Sequence, residues 1–495
     1  MRRESLLGVG FALCLLVGGL RAQPFDYPTA SPSTTWSNTD AALRHHVAYT
    51  DGSVARAALL RLNPARFGPS FAFGFFCTNH RGGAGAPCAN FLLGVAVVYC
   101  NSGAGITAVT TGIPQVVWSA NRATPVGEGA TAEFTADGDL VLKSPGGAVL
   151  WSAGAAGRGV AGMSINSDGN LVLFDGSNRT VWQSFDHPTD TLVVGQSLKQ
   201  GARLTANTSF DNWSEGRIYL TVADDGLAAY VDAKPPQRYY VLGYSKNAGA
   251  YAAYTNGSFT VLDRPGGQQL NMIQLPNVAA GTVQYMRLEY DGHLRLYEWR
   301  SVGMKWEPVG DVLHPYPDDC AYPTVCGAYG VCTDMQCSCP DAANFRAVDF
   351  RRPNRGCVPT AAAPVTCRSR RAHRLVSLRD MAYFNSHDTS MRTLERVSEV
   401  ACKKACLDDC ACMAAQFVYG FDPNDGFCYL QSEVLSMETM QPEIFHYNST
   451  MHIKTTATRD SRALGSPPAA ATPLPTSLYS GSSSLAPSAT RDLRS

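Results

Sequence analysis

From the end of an N-terminal apolar run to about residue 315, short β-branched and aromatic runs alternate with Gly, Asp and Asn turns, and few long windows carry a helical period. This pattern predicts an all-β half. Two spacings recur within it. Asp137 in ADGDLVL and Asp168 in SDGNLVL are 31 residues apart, as are Trp151 in LWSAG and Trp182 in VWQSF, while Trp118 in VVWSAN precedes Trp151 by 33. Repetition at this period implies one small antiparallel sheet built several times, each unable to bury its apolar face until the others close around it, with the three tryptophans meeting near one axis. The same grammar returns more weakly at Asp225-Gly226-Leu227 and DGHLRLYEW (291–299), which predicts a second β unit over about 205–312.

Beyond Cys320 the pattern changes. The spacing C-x5-C-x5-C-x4-C-x-C-x17-C, ending at Cys357, is too short and polar to fold without crosslinks. In SEVACKKACLDDC, Cys402 and Cys406 are four residues apart on one face of a predicted helix with Ser398 as its cap, and CMAAQFVYGF and CYL supply Cys412 and Cys428 for that face to bond. From about Thr458 to Ser495 the chain is rich in Pro, Ala, Ser and Thr, a composition that cannot offset the entropy of ordering, so a disordered tail is expected.

Composition narrows the classes of function. Lysine plus arginine equals aspartate plus glutamate at 41 each, so no global field draws the chain to nucleic acid or an anionic membrane. The start, MRRESLLGVGFALCLLVGGLRAQP, reads as a signal peptide over 1–22, and no later stretch reaches the ~20 apolar residues of a membrane span. The sixteen cysteines, most of them crowded between Cys326 and Cys428, indicate disulfides in an oxidising compartment, not a metal site. Five sequons, at Asn178, Asn207, Asn212, Asn256 and Asn448, agree with export. Cys77 and Cys88 are placed to close a loop between two strands, which leaves Cys100 as an odd thiol, either buried or intermolecular.

VVWSANRATPV (116–126), SDGNLVLF (167–174) and VWQSFDHPTDTLVVGQSL (181–198) resemble the bulb-type, mannose-binding-like lectin domain of plants. YMRLEYDGHLRLYEW (285–299) and DDCAYPTVCGAYGVCTDMQCSCP (318–340) resemble the S-locus glycoprotein region and its EGF-like module, and ACKKACLDDCACMA (401–414) resembles a PAN or apple domain. Their order is similar to the ectodomain of G-type lectin S-receptor-like kinases. The resemblance implies a mainly β architecture: a pseudo-threefold β-prism over 36–200, an S-locus glycoprotein-like domain over 205–315, an EGF-like module over 318–358 and a PAN α+β domain over 365–456. It also implies the pairs Cys320–Cys332, Cys326–Cys337, Cys339–Cys357, Cys402–Cys428, Cys406–Cys412 and Cys367–Cys410. The kinase motifs HRD, DFG and VAIK do not occur, so no intrinsic kinase activity is expected of this chain.

The bulb-lectin sugar motif, Q-x-D-x-N-x-V-x-Y, maps onto Asn166, Asp168, Asn170, Val172 and Phe174, with the glutamine shortened and the tyrosine hydroxyl lost. In a strand, alternate residues share a face; acid and amide groups there can chelate adjacent sugar hydroxyls while an apolar residue packs on the ring. The competing reading is that Asp168-Gly169 makes a tight turn while Leu171 and Leu173 fill the core. The sister positions Thr135, Asp137, Asp139, Val141 and Lys143 keep only the aspartate and the valine.

Other signals have plainer explanations. GRGVAG (157–162) is followed by strand and turn, with no helix to receive a pyrophosphate. Asp186, His187 and Asp190 suit a hydrogen-bonded corner around Pro188 better than acid–base chemistry. Seven arginines from Arg351 to Arg374 make either a solvated linker or a site for an acidic partner. The sequence thus predicts a secreted, apoplastic lectin-like glycoprotein without catalytic residues, cofactor or metal, whose partner is a glycan or glycoprotein. The alternative is a protein-interaction module, a decoy or co-receptor, binding related receptor ectodomains or a second copy of itself through the EGF-like and PAN regions.

Overall fold

The computed structural model describes residues 26–41, 45–78, 88–101, 105–108, 114–279, 282–314, 319–360, 373–386, 388–441 and 447–456. The predicted signal peptide, the Pro/Ser/Ala-rich tail, Cys367 and the arginines at 368, 370 and 371 lie outside them. No described helix is long and apolar enough to cross a membrane.

The N-terminal unit is three antiparallel sheets. One runs from His45–Ala48 through Val54–Arg61, Gly68–Cys77 and Leu92–Asn101 to Gly105–Ile106, with Gln115–Ser119 also paired to Leu92–Asn101. The second orders Val149–Ser152, Leu140–Lys143, Thr131–Phe134 and Thr34–Ser37; the third orders Thr29–Ala30, Val160–Ile165, Leu171–Asp175 and Thr180–Gln183. The two-residue period sends one set of side chains inward from each sheet. Phe71, Phe73 and Phe75 come from the first, Phe134, Leu140 and Leu142 from the second, and Met163, Ile165, Leu171 and Leu173 from the third, and together they form one core.

Each sheet also supplies one tryptophan. The rings of Trp118, Trp151 and Trp182 meet edge to face with centroids 5.8, 5.7 and 5.9 Å apart. Such pairs contribute about 0.5–1.5 kcal/mol each beyond burial, so the repeat of 31 and 33 residues is the trace of a threefold aromatic seam. The Phe-rich strand Gly68–Cys77 is buried along its whole length, because its opposite face, with Ala72 and Phe76, packs into a second cluster containing Tyr49 and Cys100. Cys100 is a free, fully buried thiol whose pKa burial pushes up to about 12 against a hydrogen bond to Ser70. Of the two alternatives open in the sequence, it is the buried one.

The second unit repeats the architecture. Its sheets order Thr191–Val193, Gln284–Leu288, Leu294–Arg300 and Lys305–Asp311; then Ser197–Lys199, Tyr251–Thr255, Ser258–Leu262 and Gln269–Gln274; then Arg203–Ser209, Asn212–Val222, Gly226–Val231 and Gln237–Gly243. One strand at the start of each sheet contributes a leucine, and Leu192, Leu198 and Leu204, spaced by six, share one core. The strands Thr191–Val193 and Ser197–Lys199, expected within 36–200, thus pair with the second set of sheets. Thr29–Ala30 and Thr34–Ser37, at or before the expected start, pair with the first. Pairing partners far along the chain decide both edges.

The units are clamped together. Arg122 donates to the carbonyls of Trp213 and Thr205 at 3.0 and 2.9 Å and to Asn207 Oδ1 at 2.8 Å, and Arg287 donates to the Val116 carbonyl at 2.7 Å. Tyr285 donates its hydroxyl to Gln115 Oε1 at 2.8 Å.

In the C-terminal part, the hairpin of Val331–Thr333 and Gln336–Ser338 joins Met437–Thr439, in parallel, and Met381–Tyr383 in one sheet. A five-stranded sheet orders His373–Arg379, Asn448–Thr456, Ala414–Tyr419, Gly426–Gln431 and Leu394–Val397. Against it packs the α-helix Glu399–Asp408, capped by Ser398 Oγ, which accepts from Ala401 N at 3.3 Å. Helical spacing turns Cys402 and Cys406 inward, where they bond Cys428 and Cys412. The remaining disulfides are Cys77–Cys88, Cys320–Cys332, Cys326–Cys337 and Cys339–Cys357; Cys410 is also disulfide-bonded. Arg238, buried between the second unit and this part, pairs with Asp388 (Nη2–Oδ1 2.7 Å) and with Asp225 (2.9 Å).

Candidate functional site

The motif residues 166–174 belong to the hairpin of Val160–Ile165 and Leu171–Asp175. Asn166 N donates to the Asn170 carbonyl at 2.9 Å and Gly169 N to the Asn166 carbonyl at 3.1 Å, and Gly169 has φ +88°. That backbone favours glycine, and Phe71 leaves no room for a larger residue, since a β-carbon on Gly169 would stand 2.5 Å from its ring. The five motif residues therefore do not share one strand face. Asn166 and Asp168 are exposed on the turn, Asn170 is buried at its end, and only Val172 and Phe174 lie in the strand. The correction has a local cause: Asp-Gly closes the chain before the two-residue alternation begins.

Asn170 is consumed by the fold. Its Nδ2 donates to Gln183 Oε1 at 2.9 Å, and its Oδ1 accepts from Ser184 Oγ and Phe185 N, both at 3.3 Å. The side chain thereby pins the turn to the strand Thr180–Gln183. Phe174 lays its ring over Gly162, where a β-carbon would stand 2.5 Å from Cζ. Asp168 is differently placed. Its Oδ1 accepts one long bond, from Asn170 N at 3.4 Å, and its Oδ2 reaches toward Gly195 of the second unit. It lines a cavity of about 270 Å3 between the two units, together with Phe71, Ser167, Val193, Val194, Asn256, Val278, Thr282, Val283 and Gln284.

The sister turn uses the same positions differently. Thr135 Oγ1 donates to Asp137 Oδ1 at 2.5 Å, and Gly138 takes φ +89°. Asp139, in the place of Asn170, accepts from Ser152 Oγ at 2.5 Å and from Leu140 N and Ala155 N, both at 3.0 Å. Val141 is buried, and Lys143 pairs with Glu133 at 2.5 Å.

The corner after Trp182 is also structural. Partial burial raises the Asp186 carboxyl, but bonds from Lys199 at 2.6 Å and Gln183 at 3.0 Å outweigh it and lower its pKa. Asp190 is buried and accepts from Thr191 Oγ1 at 3.0 Å, and the His187 ring stacks on Trp182. Among the described residues no group of three or more His, Cys, Asp or Glu side chains is placed to hold a metal. Asn178, Asn212, Asn256 and Asn448 are exposed, and Asn207 is half-buried beside Arg122.

Sequence reasoning missed Gln183 and Ser184 as partners that shape the site, although both stand in VWQSFDHPTDTLVVGQSL. It missed the cavity altogether, whose walls come from segments more than a hundred residues apart.

Residues 115–214 match the D-mannose binding lectin family. The epidermis-specific secreted glycoprotein EP1 of Daucus carota is 31% identical over 277 residues, covering 47% of this chain and 70% of that protein. EP1-like glycoprotein 1 of Arabidopsis thaliana is 30% identical over 261 residues, covering 45% of this chain and 57% of the relative. A G-type lectin S-receptor-like serine/threonine-protein kinase of Arabidopsis thaliana is 26% identical over 349 residues, 66% of this chain but only 38% of the kinase.

Proposed function

The chain belongs to the plant bulb-lectin, S-locus glycoprotein-like proteins, and from that premise we propose that it is a secreted recognition glycoprotein that binds the sugar of a glycan or glycoprotein and catalyses nothing. The observation that carries this reading is Asp168: of the two polar anchors the motif retains, it is the one whose carboxylate the fold leaves unspent, and it faces a cavity with an apolar wall. A carboxylate beside an aromatic or aliphatic surface suits a pyranose, which offers paired hydroxyls on one side and C–H groups on the other. The sequons, the disulfides and a relative named as a secreted glycoprotein support an extracellular location.

The test is glycan-array binding by secreted protein stripped enzymatically of its own N-glycans, with Asp168→Ala and Asn166→Ala beside it. Mannose-type glycans should be retained by the parent and lost with Asp168→Ala. Retention by both variants would remove the turn from the account.

A second reading, a protein-interaction module, is favoured by the spent amide of Asn170 and by Phe174, which has no hydroxyl to offer. It expects a dimer, or capture of a related receptor ectodomain, in sedimentation experiments where no glycan is retained.

A further inference from the structure

Asn256 lines the same cavity as Asp168. It sits at the tip between Tyr251–Thr255 and Ser258–Leu262, where Gly257 takes φ +87°, and it is the first residue of the sequon Asn256-Gly257-Ser258. Its Oδ1 accepts from Val278 N at 2.7 Å, which fixes the amide plane; its Nδ2, the atom that bears an N-linked glycan, has no partner among the described residues. A sequon and the carboxylate best suited to hold a sugar therefore border one space.

We propose that this cavity holds a pyranose ring of the chain's own N-linked glycan, carried by Asn256, so that the Asp168 site is occupied from within. The proposal rests on the carbohydrate reading above and adds what regulates it. Size favours a single ring: about 270 Å3 lies just below the ~300 Å3 at which small-molecule pockets begin. Chemistry favours a sugar. Phe71, Val193 and Val283 offer the apolar wall, while Asp168 Oδ2 and the Ser167 hydroxyl are left to accept and donate. Gln284 is not available, since its amide already serves Tyr254 and Glu298 at 2.7 and 3.1 Å. Tethering decides the source. A ligand on a short flexible link is present at an effective concentration of order mM, which matches the ~mM dissociation constant of a weak single-ring contact. Such a tether fills about half of the sites and weakens free sugar about twofold.

The experiment uses the full chain secreted from eukaryotic cells, with occupancy of Asn256 read by glycopeptide mass spectrometry. The parent is compared with Ser258→Ala, which removes the sequon, and with Asn256→Asp, which removes the glycan but keeps the oxygen that accepts from Val278. Methyl α-mannopyranoside is the free probe, followed by saturation-transfer NMR, and amide exchange is read at residues 193–194 and 283–284. Both variants should bind the probe about twofold better than the glycosylated parent, as expected when effective concentration and dissociation constant are equal, and exchange faster at those amides, and adding Asp168→Ala should abolish the gained binding. An unmodified Asn256, equal and measurable probe binding by parent and variants, or exchange indifferent to the glycan would each overturn the proposal. Equal binding that still depends on Asp168 would leave the carbohydrate reading standing without internal occupancy. Glycan-dependent protection without any probe binding would remove recognition of free sugar and keep internal occupancy.

Discussion

The turns at Asp137 and Asp168 are two solutions to one problem, 31 residues apart. Each closes a hairpin with a glycine near φ +88° and buries the residue that follows it. In one copy that residue is an aspartate accepting three hydrogen bonds; in the other it is an asparagine donating one and accepting two. The third polar position of the motif is thus a structural pin in both copies, whatever its side chain. The copies part company one step earlier. Thr135 donates its hydroxyl to Asp137, whereas Asp168 accepts only one long bond, from a backbone amide, and lines a cavity against the neighbouring unit. Function in such a repeat is what remains after each turn has satisfied itself.

Five substitutions test that contrast. Asp139→Ala should cost the most, about 3 kcal/mol, because it orphans two backbone donors and a hydroxyl inside the first unit. Tryptophan fluorescence during denaturant unfolding should report the loss through the Trp118–Trp151–Trp182 seam. Asn170→Ala should cost about 2 kcal/mol by the same mechanism, and an unchanged midpoint would end the claim that the two pins are equivalent. Gly169→Ala carries a comparable penalty of about 2 kcal/mol, combining left-handed strain with the contact to Phe71; thermal melts of this variant beside Gly138→Ala would show whether both turns are equally tight. Asp168→Ala should change stability by less than about 0.5 kcal/mol. Were it as damaging as Asn170→Ala, Asp168 would be another pin and no longer a free ligand group.

Local chemistry was readable in the sequence wherever it was local in space. The Asp-Gly turns and the helix that presents Cys402 and Cys406 behind a Ser398 cap follow from short-range spacing, and the meeting of three tryptophans follows from a regular repeat. The burial of Leu171 and Leu173 follows from alternation. What was hidden depends on partners distant along the chain. Asn170 looked like a sugar ligand because nothing in SDGNLVLF reveals that Gln183 and Ser184 fold back onto it. Thr191–Val193 looked like the end of one unit because its strand partner, Gln284–Leu288, lies some ninety residues later. The second three-sheet unit announced itself only faintly, since the residue repeated from sheet to sheet is leucine, which is common, and not tryptophan, which is rare.

The parallel pairing of Val331–Thr333 with Met437–Thr439 bears on how this protein can be dissected. A crosslinked hairpin of this kind is ordinarily a portable cassette, but here its outer backbone groups are matched by a segment made a hundred residues later. A fragment ending near residue 360 would present a bare sheet edge and invite self-association, and one ending near residue 314 would strip Asp388 from the buried Arg238 and open the core that the second unit shares with Tyr322, Met381 and Tyr383.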